Sequence, residues 1–166
     1  LAKSIAQLLS SSSSSSLDDD CDESSLGNKR GTGLKTKKST VGSIDVHEFY
    51  RPFLRKKCLL RFTFVAGHVC SIDFPDKFQD WDLDPKLLFD CKTEKKVTAG
   101  RIRGSLEREA RTCDALVLWL DCDREGENIC FEVMDAVVPR MRGGGGRYEN
   151  VYRAKFSAIS KPSVEN

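Results

Sequence analysis

Asp121, Asp123, Glu125 and Glu127 place four carboxylates within seven residues, Asp121-Cys122-Asp123-Arg124-Glu125-Gly126-Glu127. Two carboxylates about 6 Å apart repel by roughly 3 kcal/mol at an effective dielectric of 20. A divalent cation with oxygen ligands is the simplest way to offset that repulsion. The acids follow Ala115-Leu116-Val117-Leu118-Trp119-Leu120, a run without a polar residue, which reads as a strand buried on both faces of a parallel sheet. If strand geometry continued into the acids, Asp121 and Asp123 would point the same way, with Cβ atoms about 6.5 Å apart. Two such side chains could share one hard ion. The expectation is an acidic metal site at the carboxyl edge of an α/β sheet, where ligands of such sheets bind.

Two other arrangements use the same residues. Asp121, Asp123, Glu125, Gly126 and Glu132 occupy positions 1, 3, 5, 6 and 12 of an EF-hand calcium loop. Against it, the preceding run is β-like, Glu125 is longer than the usual fifth-position Asp or Asn, and Asn128 takes a position that normally packs an apolar side chain. The plainer alternative is a helix start decorated with acids. Asp123 would cap the helix, and Glu125 and Glu127 would each gain about 0.3–1 kcal/mol from the helix dipole. That leaves Asp121 unexplained.

The elements that must position these residues follow from periodicity. Ile102, Leu106 and Ala110 are spaced as one helical face ahead of the apolar run, and Ile129, Cys130, Val133, Met134 and Val137 mark another behind the acids, ended by Pro139. Ile44 to Phe53 and Cys58 to Val65 read as two strands joined at Arg55-Lys56-Lys57, with Gly67-His68 following, and Val151 to Phe156 as a last strand. Leu1, Ile5, Leu8 and Leu9 share a helical face. Helix and strand in alternation imply an α/β fold with a mainly parallel sheet flanked by helices. From Ser10 to Ser43 come seven consecutive serines, the run Asp18 to Asp20 and a Lys- and Gly-rich stretch. Too polar to bury much surface, this segment is expected to be a disordered insertion. Gly143 to Gly146 reads as a flexible joint.

Composition bounds the rest. The 166 residues suffice for one domain with a core, and a formal charge of +2 gives no global basic field. Basic residues cluster locally, at Arg51, Arg55, Lys56, Lys57 and Arg61 and again at Arg140, Arg142, Arg147, Arg153 and Lys155. Seven cysteines, with no C-x-x-C pair, argue for reduced, mostly buried thiols in an intracellular protein and against zinc. No apolar stretch is long enough to span a bilayer, so no membrane partner is expected.

The stretch from Leu116 through Asp121-Cys122-Asp123-Arg124-Glu125-Gly126-Glu127-Asn128-Ile129 resembles the acidic motif of type IA DNA topoisomerases, within the Toprim domain, and is most similar to the topoisomerase III group of the beta type. Asp-x-Asp alone would indicate Toprim proteins in general, nucleases and primases included; the continuation Arg-Glu-Gly-Glu-Asn is the more specific part. Ala66-Gly67-His68-Val69, Val46-His47-Glu48-Phe49, Trp81 with Asp84-Pro85 and Leu88-Phe89, Thr93-Glu94-Lys95-Lys96, and Tyr152-Arg153-Ala154-Lys155-Phe156-Ser157 resemble other segments of that family. The likeness covers residues 1–9 and 44–160 as one Toprim domain, with 10–43 an insertion and 161–166 the start of a connection.

The resemblance implies a Rossmann-like module of an enzyme that cleaves, passes and reseals single DNA strands without ATP, through a 5′-phosphotyrosine. It implies Mg²⁺, with Mn²⁺ as substitute, held by Asp121, Asp123 and Glu125, the two aspartates being catalytic. His68, Arg124, Arg153 and Lys155 become candidates for nucleic-acid contact. The expected substrate is single-stranded or negatively supercoiled DNA, with RNA left open, in the nucleus and also the cytoplasm; protein partners are not specified. A first strand carrying a Glu-Lys-Pro-Ser motif is expected ahead of Leu1, and the tyrosine nucleophile in a later domain; Tyr50, Tyr148 and Tyr152 are expected to be structural.

Overall fold

The computed structural model describes residues 2–11, 33–39, 44–80, 82–143, 148–156, 158 and 160. The chain divides into two compact units, Leu1–Phe64 with Phe156–Asn166, and Val65–Lys155.

The first unit is a helix on a sheet. Helix α1 (Ala2–Ser11) buries Ile5 and Leu9, as their spacing predicts, together with Ala6, and packs against the strands β2 (Asp45–Phe53) and β3 (Lys56–Phe62). Phe49 of β2 is buried and stacks on Phe62 of β3, ring centroids 5.6 Å apart. The hairpin turn is Leu54-Arg55 alone, both with positive φ (50° and 62°), so Lys56 and Lys57 belong to the strand rather than to the turn. Two residues in the left-handed region form the tight connection whose twist matches the flanking strands.

A third strand was not expected. Lys35–Lys38 forms β1, antiparallel to β2 with Lys35 opposite Glu48 and Lys38 opposite Asp45. Cross-strand charge holds it, through Lys37–Glu48 at 2.7 Å and Lys38–Asp45 at 2.8 Å. The expectation of a disordered segment from Ser10 to Ser43 is corrected at its ends, since α1 runs to Ser11 and β1 is a strand. Residues 12–32 and 40–43 lie outside the described residues, as do Trp81, most of the glycine run and the segment from 161 onward.

The second unit holds the acids. After β4 (Cys70–Asp73) and the short helix α2 (Lys86–Phe89), strand β5 (Glu94–Val97) pairs antiparallel with β4. Helix α3 (Gly100–Ala110) then leads to β6 (Leu116–Leu118), helix α4 (Arg124–Val137) and β7 (Val151–Arg153). Strands β6 and β7 are parallel, Leu116 opposite Val151 and Leu118 opposite Arg153. The core joins Val69, Cys70, Ala110, Leu118, Ile129, Cys130, Val133, Val137, Val138 and Met141. The apolar stripe of α4 therefore lies inward, as its period predicts.

The expectation of a mainly parallel sheet is corrected. Among the described residues the strands form three small sheets, and only β6–β7 is parallel. Nor is β6 buried on both faces: Leu118 is buried, but Val117 is 37 % exposed. The six described cysteines are all free, with Cys70 and Cys130 buried, Cys58, Cys91 and Cys113 half-buried and Cys122 exposed, so burial is less general than expected. No described helix is long and apolar enough to cross a membrane.

Candidate functional site

The chain leaves β6 at Leu118, so strand geometry does not persist to Asp121. It turns instead at Asp123, whose backbone is extended (φ −127°, ψ 179°) and whose Oδ1 accepts the Gly126 amide at 2.7 Å. Asp123 is thus the N-cap of α4, satisfying an amide that the first helical turn leaves without a partner. Glu125 and Glu127 follow in that turn, where the helix dipole favours negative charge. Gly126 explains itself sterically. A Cβ there would stand 2.1 Å from the Asp121 carbonyl oxygen and 2.9 Å from its carbon, so the acidic turn can fold onto the helix only over glycine.

Asp121, Asp123 and Glu125 are all exposed. Among the described residues no three His, Cys, Asp or Glu side chains converge as a metal-binding group, so the expected three-residue set is not gathered in this arrangement. The donor chemistry nevertheless suits Mg²⁺, which keeps several waters and takes only one or two carboxylates from a protein. Asp121 and Asp123 supply such oxygens, although one oxygen of Asp123 already serves the helix cap.

The EF-hand alternative is overturned. A calcium loop draws ligands from positions 1, 3, 5, 7 and 9 around a sharp turn at the sixth, but here helix already begins at the fourth, Arg124, and runs to Val137. Its supposed last ligand, Glu132, is turned into the protein, 7 % exposed. Glu132 Oε2 accepts the amides of Val69 (2.7 Å) and Cys70 (3.0 Å), while Oε1 lies 2.8 Å from His68 Nδ1 and accepts from Asn128 Nδ2 at 3.1 Å. Burial pushes this carboxyl up, but the Cys70 amide, the His68 ring and the Val69 amide together hold it below its ordinary value.

The sequence reading placed Glu132 only as the last position of the calcium-loop alternative; in the structure it organises the Gly67-His68 turn. His68 lies half-exposed between two carboxylates, with Nε2 3.8 Å from Glu125 Oε1. The hydrogen bond with Glu132 outweighs desolvation and, with the nearby Glu132 and Glu125 charges, raises the imidazole above its ordinary value. Gly67 has φ +71°, and the His68 carbonyl accepts from Thr98 Oγ1 at 3.1 Å.

Arg153 lies beside the acidic turn. Its Nε donates to Glu127 Oε1 (3.0 Å), Nη1 to the carbonyls of Leu118 (3.3 Å) and Ala154 (2.6 Å), and Nη2 to the Asp121 carbonyl (2.9 Å) and Cys122 Sγ (3.7 Å). A guanidinium has five N–H donors, and all are engaged with protein groups. In this arrangement the side chain fastens the ends of β6 and β7 to the acidic turn. Arg124 and Lys155 are exposed. Arg124 borders an open depression with Cys122, Asp123, Glu127, Asn128 and Phe131, whose ring is 63 % exposed.

Comparison with known proteins agrees with this arrangement. A family profile described as the Toprim domain matches residues 2–159. Human DNA topoisomerase 3-beta-1 is 43 % identical over 137 residues, which make up 80 % of this chain and 16 % of that protein. DNA topoisomerase 3-beta of Drosophila melanogaster is 46 % identical over 144 residues (84 % of this chain, 16 % of that protein). The Arabidopsis thaliana protein of the same name is 46 % identical over 126 residues (74 % and 14 %). The chain thus spans about a sixth of the length of these relatives or less. The match runs over both units and over every part of the acidic turn described above, and on it the chain belongs to the Toprim domain family.

Proposed function

We propose that this chain is the Toprim portion of an ATP-independent type IA DNA topoisomerase, which cleaves one DNA strand, passes another through the break and reseals it through a 5′-phosphotyrosine intermediate. The observation that carries the reading is the exposed acidic turn of Asp121, Asp123 and Glu125 between β6 and α4, in a chain similar to proteins named DNA topoisomerase 3-beta. Asp121 and Asp123 would hold Mg²⁺, or Mn²⁺ in its place, with Glu125 as a further ligand or a holder of its water. The ion, when bound, would offset the charge that develops on the phosphate and on the leaving 3′ oxygen.

The remaining roles belong to the protein. Gly126 admits the Asp121 carbonyl against the helix, and Arg153 clamps that carbonyl and Glu127 from the neighbouring strand. Both fix the direction in which the carboxylates leave the backbone. Arg124 and Lys155 are exposed cations suited to phosphate contacts, which orient a strand without reading its sequence. His68, beside Glu125, adds a polar group at the edge of the turn. The substrate is single-stranded or negatively supercoiled DNA, with RNA as a second class, in the nucleus and also the cytoplasm. The attacking tyrosine comes from another domain.

The test uses the longer protein that carries this chain. Combined Asp121→Asn and Asp123→Asn should sharply lower Mg²⁺-dependent relaxation and resealing of negatively supercoiled DNA. Activity unchanged from the parent would contradict the assignment. A covalent adduct of this chain alone with end-labelled single-stranded DNA, through Tyr50, Tyr148 or Tyr152, would overturn the reading as a whole.

A further inference from the structure

Glu132 has no part in the proposed chemistry, yet it is buried and bonded at both oxygens. Four donors converge on it: the Val69 and Cys70 amides on Oε2, and Asn128 Nδ2 and His68 Nδ1 on Oε1. An ionised carboxylate only accepts, and four hydrogen bonds fill its two oxygens. The His68 nitrogen at 2.8 Å must then carry a hydrogen. The backbone on either side is pinned as well, since Glu132 takes the next two amides and Thr98 Oγ1 donates to the His68 carbonyl.

We propose that Glu132 is a positioning residue that fixes the tautomer of His68. With the Nδ1 hydrogen directed at Glu132, the neutral ring turns its Nε2 lone pair toward the acidic turn, 3.8 Å from Glu125 Oε1. A nitrogen lone pair and a carboxylate oxygen facing one another at that spacing offer acceptors to a hydroxyl or a water, and no donor to a phosphate oxygen. The helix thus sets, from its buried side, what the neutral histidine can do on its exposed side. Second-partner hydrogen bonds commonly decide in this way which imidazole nitrogen stays free.

The inference concerns the apo chain and is tested without nucleic acid or metal, so its failure is separable from failure of the proposed function. The ¹⁵N-labelled 166-residue chain is studied by long-range ¹H–¹⁵N correlation at a pH where the imidazoles are neutral. His47, the only other histidine, is assigned by a His47→Gln variant. The wild-type spectrum should place the hydrogen of His68 on Nδ1. In Glu132→Gln the amide oxygen can keep the two backbone donors, but its NH₂ then faces the ring. Two donors cannot pair, so the His68 hydrogen should move to Nε2. Asn128→Ala, which removes a donor without touching the ring, should leave it on Nδ1. A wild-type ring protonated on Nε2, or a folded Glu132→Gln whose tautomer does not change, would overturn the proposal. Should Glu132→Gln unfold, the wild-type spectrum and Asn128→Ala decide it: Nδ1–H in both supports it, and Nε2–H in either overturns it.

Discussion

The first and third turns of α4 carry acids of the same kind in opposite circumstances. Asp123, Glu125 and Glu127 at its start are exposed, whereas Glu132, two turns on, is buried and accepts four hydrogen bonds. A buried carboxylate is tolerable only when donors replace its water, and Glu132 draws them from a neighbouring turn. The exposed acids keep part of their water, although Glu127 Oε1 accepts from Arg153 and Asp123 Oδ1 from the Gly126 amide. The difference teaches that on this helix burial marks the structural carboxylate, and exposure the ones proposed to do the chemistry.

The largest expected effect lies on the buried side. Glu132→Ala leaves the Val69 and Cys70 amides without an acceptor, and at about 1–2 kcal/mol for each buried donor it should cost roughly 2–4 kcal/mol in denaturant unfolding. A loss below about 1 kcal/mol would remove the distinction between the two ends of the helix. The same contacts set a pH dependence. The Glu132 value is depressed, so its contribution is present above the ordinary 4.5 and is lost as pH falls through the lower folded value. The His68 value is raised, so its contribution is complete below the ordinary 6.5 and is lost as pH rises through the higher folded value. Both contributions coexist between these two ordinary values, and that is where the pair should stabilise most. In Glu132→Ala both arms of the profile should flatten; arms unchanged from wild type would place their origin elsewhere.

Gly126→Ala comes next. Alanine improves helix propensity by about 1 kcal/mol, but its Cβ would meet the Asp121 carbonyl oxygen at 2.1 Å. Displaced backbone should outweigh the gain and give a net loss of about 1–3 kcal/mol. A stabilised variant would show that Asp121 does not lie against the helix. At the exposed end the effects should be smaller. Asp123→Ala removes the cap and should cost about 1 kcal/mol, whereas Asp121→Asn should stay within about 0.5 kcal/mol. Equal losses at the two positions, read from paired unfolding curves, would mean that Asp121 has a structural role of its own.

Much of this was legible in the residues. The apolar period of Ile129, Cys130, Val133 and Val137 marked α4 and its inward face, and the density of acids marked the turn before it. Less legible was whatever depends on partners distant in sequence. The Lys35–Lys38 strand shows no alternation and gains its place from Glu48 and Asp45 across the ladder. Arg153 reads as one more cation in a basic cluster until β6 and β7 pair and place Leu118 and Asp121 beside it. Glu132 did leave a trace: it is a charge set within the buried stripe, next to Val133 and Ala136. A carboxylate there must be bonded by something, but the sequence does not say that the partner is the Gly67-His68 turn.

The central claim is that the exposed end of α4 is the metal-binding end, and paramagnetic broadening tests it most directly. Substoichiometric Mn²⁺ is added to the ¹⁵N-labelled chain, and the amide signals are followed in wild type and in the Asp121→Asn, Asp123→Asn double variant. Broadening should centre on residues 121–127 in wild type, be competed away by Mg²⁺, and vanish in the double variant. Broadening that survives in the double variant, or that centres on another part of the chain, would contradict the account.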